Sequence, residues 1–306
     1  MEGAPKIPEE NKGKPKDSIA DKLKRWAKIG AIATVGFLPL EDAQAGGAPT
    51  NDKDKIEREA KIDSLINEIK TLGTKTKSEI KNARKDIKNA HKNYDEQKEW
   101  LKDVIGSEEY KQRMLKELGS NEKATNAYID LRKENLDDKD YDLVYGSLVD
   151  GVKSVGEYSD DDKSIRLATN PPNGYEATGL HEFVHDITDG GATMTKKAID
   201  LYKQSFNPKI IKERNSQEIV DYLEDPTERD ARKKVLEYDL EKLGVKKYGE
   251  VFTQEHYEKL FELAKKGMLS KNSLEFIVTT KPEFFLQIMN EIAENPKIAS
   301  TEEQKA

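Results

Sequence analysis

Two of the four histidines in this 306-residue chain are His181 and His185, in the run His181-Glu182-Phe183-Val184-His185. Positions i and i+4 of an α-helix share a face, so both imidazoles can reach one metal ion at about 2.0–2.1 Å. Glu182 is offset by one residue, so it misses the ion and addresses the water beside it. Leu180, Phe183, Val184 and Ile187 recur at i, i+3, i+4 and i+7. That stripe predicts a helix over 176–189 whose apolar side is buried and whose histidines lie where the core borders a cleft. The rival reading is a surface helix on which the two histidines merely flank an apolar face.

Two imidazoles need a third protein ligand and must leave one position open if the metal is to work on water. The chain has no cysteine, which excludes a thiolate ligand, disulfides, iron–sulfur ligation and a cysteine nucleophile. His91 stands among charged neighbours and reads as a solvated surface residue. His256 borders the stripe Tyr257, Leu260, Phe261, Ala264 and reads as structural. A carboxylate remains. The best candidate is Glu228, which opens a helix 228 − 185 = 43 residues beyond His185. Glu228 has a competing use, because Asp225-Pro226-Thr227-Glu228 also reads as a helix start. Asp225 would be the N-cap, Pro226 the first helical residue, and Glu228 would reach back as in a capping box. Glu218, Asp221 and Glu224 are the other candidates.

The elements that must position these groups can be read from periodicity. Val152, Val155 and Tyr158, then Ser164 to Ala168, flank the acidic turn Ser159–Lys163 and predict a two-strand hairpin. Ser164–Ala168 reads either as an edge strand that pairs with an extended substrate or as a strand packed under the helix. Helical patterns return at 193–205, 226–243, 254–267 and 282–293, with Gly190-Gly191 and Gly244 as stops. Upstream, Ile62, Leu65, Ile66, Ile69 and Leu72 form one stripe, and Ile80, Ala83, Ile87, Ala90, Tyr94, Leu101 and Val104 a near-heptad second. They predict a helical hairpin or coiled-coil arm, with residues 53–118 open to a partner helix or to self-association.

Residues 1–50 are a polar tail containing a basic flank (Lys22 to Lys28), an apolar run (Ile29–Leu40) and Ala43-Gln44-Ala45. That series has the form of an export signal over 22–45, or of a membrane-surface segment over 22–40. Export or envelope association follows from the signal reading; a cytoplasmic or virion-associated place follows from the alternative, a short buried helix. Lys plus Arg number 52 and Asp plus Glu 59, a net charge of −7, which argues against a nucleic-acid partner. The expected fold is α+β and predominantly helical. It divides into a tail over 1–50, a charged helical arm over 51–148, a site-bearing domain over 149–296 and a second tail over 297–306.

Gly179-Leu180-His181-Glu182-Phe183-Val184-His185-Asp186, followed by Tyr222 and by Pro226-Thr227-Glu228-Arg229-Asp230-Ala231-Arg232, resembles the gluzincin-type zinc metallopeptidases. In particular it resembles those of phages and mobile elements, and it is similar in layout to bacterial toxin-type zinc endopeptidase domains. The resemblance covers about 150–245; Asp230 departs from it, standing where many relatives have an aromatic or apolar residue. It implies a zincin-like domain binding one Zn²⁺ per chain through His181, His185 and Glu228. It implies Glu182 as general base, Tyr222 (or, less favoured, Tyr175) as donor to the transition state, and a protein or peptide as substrate. The alternative is an assembly or virion protein whose coiled-coil arm is the working part and whose zinc site is structural or inactive.

Overall fold

A computed structural model describes residues 52–71, 76–138, 140–144, 156–159, 163–169, 171, 177–188, 194–209, 217–291 and 294. All of them belong to one compact unit within Phe37–Ala306. The expectations placed on 1–50, Leu72, Val152, Val155, Asp160–Asp162, Tyr175, Gly190-Gly191 and 297–306 lie outside the described residues.

The first described helix, α1 (Asp52–Thr71), packs on α2 (Lys77–Gly106) as a hairpin. Ile62, Leu65, Ile66 and Ile69 meet Ala83 and Ile87 in a small core of their own. Thr76 starts α2 with a complete capping box, its side chain accepting from Glu79 N while Glu79 accepts from Thr76 N. Ser107 closes α2 and N-caps α3 (Glu108–Glu117); α4 (Glu122–Asp138) then returns along α2. The second half of the α2 stripe does not wait for an outside partner. Ala90, Tyr94, Leu101, Val104 and Ile105 join the main core, where they meet Leu180, Phe183, Val184 and Ile187.

The predicted hairpin forms from β2 (Gly156–Tyr158) and β3 (Ile165–Ala168), antiparallel, with Glu157 opposite Arg166. A third strand, β1 (Asp142–Val144), was not legible from its three residues. It pairs parallel with β3, giving the order β1-β3-β2. The edge-strand reading of Ser164–Ala168 is therefore corrected. Within this sheet β3 is the central strand, its backbone groups used by a neighbour on each side, while Ile165, Leu167 and Ala168 face the core.

Then follow α5 (Thr178–Ile187), α6 (Lys196–Ser205), α7 (Gln217–Glu224), α8 (Pro226–Lys242), α9 (Gln254–Lys265), α10 (Lys271–Thr279) and α11 (Pro282–Asn290). α7 and α10 were not among the expected helices. The protein is predominantly helical α+β, and no described helix is long and apolar enough to cross a membrane. At the centre, α8 packs against α5 on one side and α10 on another. Its burial is unusual: Arg229, Asp230, Arg232, Lys233, Lys234 and Glu237 are all buried with Ala231, Val235, Leu236 and Leu240. Each charged group has a partner. Arg229, for example, donates to Thr279 O, Ser205 Oγ and Thr280 Oγ1 between the rings of Tyr202, Phe206 and Phe276.

His91 corrects a second expectation, since it is buried rather than solvated. Its Nδ1 lies 3.3 Å from Tyr141 Oη, and Tyr141 in turn donates to Asp95 at 2.7 Å. Burial, and then the nearby Arg58, lower its pKa to about 4. The unfolded chain therefore takes up a proton near pH 6.5 that the folded chain refuses until about pH 4. Stability should fall as pH drops through that window, by on the order of 3 kcal/mol at most. Denaturant melts of metal-free protein at pH 7 and pH 4.5 should show a loss that shrinks in His91→Gln. An equal loss in the variant would assign the pH dependence elsewhere.

Candidate metal centre

The motif helix is held by tertiary contacts more than by its own ends. Ala177 precedes α5 at φ 53°, a left-handed conformation, and provides no side-chain cap. Gln97 of α2 replaces the cap, its Oε1 accepting from Leu180 N at 2.8 Å. Gly179 permits this approach, since a Cβ there would lie 2.7 Å from Tyr94 Cδ1 and 3.0 Å from Gln97 Oε1. Tyr94 also donates to Ala168 O at 2.8 Å, so one turn of α2 ties α5 to the end of β3. Leu180, Phe183, Val184 and Ile187 then bury completely, and that rotation places His181, Glu182 and His185 at the boundary with α8, 5–8% exposed.

Across that boundary, the start of α8 supplies the carboxylate. Asp225 is the N-cap, accepting from Thr227 N at 2.7 Å and Glu228 N at 3.4 Å, with Pro226 in the first turn. The capping half of the expectation thus holds for Asp225. Glu228 does not reach back: Asp225 N donates to Asp221 O instead. The Glu228 carboxylate spans the two histidines, Oε2 at 3.1 Å from His181 Nε2 and Oε1 at 3.3 Å from His185 Nε2. The two Nε2 atoms are 3.2 Å apart.

His181, His185 and Glu228 form a buried group that could hold a metal ion. The donor spacing fits one. Ligands about 2.0–2.1 Å from a tetrahedral ion stand about 3.3–3.4 Å from one another, close to the separations found here. Two imidazole nitrogens face to face over a carboxylate also share too few protons to bond all three, whereas one cation satisfies them together. His181 Nδ1 is buried without a hydrogen-bond partner among the described residues.

The electrostatics follow from packing. Burial lowers the His181 pKa to about 4, against the hydrogen bond to Glu228, so this ring is neutral at pH 7. His185 is desolvated too, but its hydrogen bond to Glu228 and that residue's charge outweigh burial and raise its pKa. Glu228 resists its own burial through the hydrogen bonds to both histidines and stays well below the usual carboxylate range. For Glu182 burial outweighs the opposing charges of His185 and Arg232 and raises its pKa to about 7. Its carboxylate lies against β2, where a Cβ on Gly156 would sit 2.6 Å from Oε1.

Tyr158 of β2 stacks near His185, ring centroids 6.2 Å apart and planes 18° from parallel. Tyr222, on α7, is half exposed at the same margin. Partial burial and then the Glu228 charge raise its pKa, so the phenol keeps its proton. Asp230 accepts from Tyr202 Oη at 2.6 Å, so the residue that departs from the resemblance serves the α6–α8 contact. The other carboxylate candidates, Glu218, Asp221 and Glu224, are not in the group that could hold a metal. Two residues went unrecognised in the sequence. Arg232 donates to Glu228 Oε2 at 3.0 Å and to Glu275 Oε2 at 3.3 Å. The i, i+4 spacing of Glu228 and Arg232 was available as a signal, whereas Glu275 could be found only through the fold. No protein-family model matches the chain, and no curated protein or solved structure matches it either.

Proposed function

We propose that this chain is a zinc-dependent metallopeptidase. The observation that carries the reading is the convergence of His181, His185 and Glu228 from two helices, with Glu182 one residue round from His181. Nitrogen and oxygen donors without thiolate suit Zn²⁺, and three protein ligands are the number a catalytic site uses. When bound, zinc supplies a Lewis acid that polarises a substrate carbonyl and acidifies a water.

The chain's own residues account for the rest. Glu182 is desolvated and poised near neutrality, so it takes a proton from the attacking water and returns it to the leaving amine. Gly156 leaves room for the carboxylate to make that movement. Tyr222 retains its phenolic proton at the exposed margin and is placed to donate it to a developing oxyanion.

Purified protein should contain about one zinc per chain by elemental analysis, and should cleave a peptide library in a reaction that a chelator stops and added zinc restores. Iron in place of zinc would exclude the zinc reading. Zinc binding with no cleavage of any library would leave a structural metal site and favour an assembly role.

A further inference from the structure

Arg232 is an unexpected residue beside a cation site, because its charge opposes a metal ion. It is 2% exposed and belongs to α8, one turn beyond Glu228. Its Nη1 donates both to Glu228 Oε2 and to the backbone oxygen of Glu228, each at 3.0 Å. Its Nε donates to Glu275 Oε2 at 3.3 Å, and Tyr222 covers the guanidinium, ring centroid 4.7 Å from Cζ. Every contact is directional, and two of them close a loop on the same glutamate.

We propose that Arg232 is a positioning residue that locks the Glu228 carboxylate across the two histidines, and that Glu275 of α10 holds Arg232 in place and offsets its charge. The inference rests on the reading of His181, His185 and Glu228 as metal ligands. Glu228 sits in the third position of a helix, where its free side chain has a second use, turning back towards the N-cap. Nη1 removes that choice by joining the carboxylate to the residue's own carbonyl. The other side of the fork is then free for Glu275. A planar guanidinium can serve both partners at once, whereas a lysine ammonium is a point charge on a flexible stem. The pairing also bears on how a cation is tolerated: Glu275 shares the positive charge with Glu228, so part of the charge on Glu228 remains available to a metal.

Zinc affinity, measured by chelator competition on the full chain, tests this with no reference to cleavage. Arg232→Gln should weaken binding by about 10–100-fold, the usual effect of removing a group that orients a ligand. Arg232→Lys should recover less than half of that loss on a logarithmic scale, and the visible spectrum of the cobalt form should change in both. Glu275→Gln should weaken binding less, and should have no further effect once Arg232 is Gln, because the two act in series. Glu275 is partly exposed, so its variant keeps the test open where an arginine variant unfolds. Parent-like affinity and cobalt spectrum in Arg232→Lys and Glu275→Gln, with only the melting temperature lowered, overturn the positioning role. Glu228→Gln run beside them separates the two levels. If it loses zinc while the Arg232 variants keep it, only the positioning role fails. If it keeps zinc, the metal site beneath it fails.

Discussion

Replacing Glu182 with Gln should leave the metal content at the parent level and lower peptide hydrolysis by on the order of 10²-fold or more. The expectation comes from two separate placements. Glu182 lies outside the ligand group, its carboxylate against β2 at Gly156, so its loss removes no metal donor. It is also buried, and burial outweighs the opposing charges of His185 and Arg232, which leaves it able to exchange a proton near pH 7. Gln keeps the volume and removes the base. Gly156→Ala is a companion from the other side of the contact. The added methyl would meet Glu182 Oε1 at 2.6 Å and Thr178 Cγ2 at 2.8 Å, so the carboxylate must shift while His181, His185 and Glu228 stay. Hydrolysis should fall in this variant also, with zinc retained. Parent-level hydrolysis in Glu182→Gln would exclude the residue as base. Metal loss in that variant would make it a ligand and redraw the site.

Glu228→Ala should cost the protein its zinc, with affinity falling by orders of magnitude, while Asp225→Ala should keep it. The two residues are three apart at one helix start, and the structure divides the work between them. Asp225 satisfies the exposed backbone N–H groups, a function worth about 0.5–2 kcal/mol of stability. Glu228 faces the histidines with both oxygens. Asp225→Ala should therefore lower the melting temperature at unchanged metal content. Glu228→Ala should lose the metal, and in the metal-free protein it should lower the melting temperature as well, because buried Arg232 and His185 lose their shared carboxylate. Elemental analysis with thermal melts on both variants decides it. Unchanged zinc in Glu228→Ala would show that another group completes the site.

Much of the site was legible in local order. Spacing alone places His181 and His185 on one helical face, because the i, i+4 repeat is a property of the α-helix and needs no neighbours. The apolar residues at 180, 183, 184 and 187 set which way that face turns, since burying them leaves the histidines at the boundary. The Asp225-Pro226 start of α8 and the hairpin of β2 and β3 were likewise dictated by short-range chemistry: an unsatisfied N–H, a fixed proline φ, and alternation either side of an acidic turn.

Other features depended on partners distant in the chain. Whether Glu228 capped its helix or joined the histidines could not be chosen locally, because both uses satisfy the same carboxylate; the packing of α8 on α5 chose. His91 looked solvated from its charged neighbours, yet it is buried against Tyr141, 50 residues away. Ser164–Ala168 read equally as an edge strand for a substrate or as a strand packed under the helix, and β1, three residues long, decided it by taking the second side of β3. The charges of α8 are the plainest case. Arg229, Asp230, Arg232, Lys233, Lys234 and Glu237 are buried because α6, α10 and Glu291 bring hydroxyls, carbonyls, rings and carboxylates to meet them. A charge may leave water only where such partners are already in place. Periodicity records a residue's own preference for water; the burial of these residues was decided by groups from other parts of the chain.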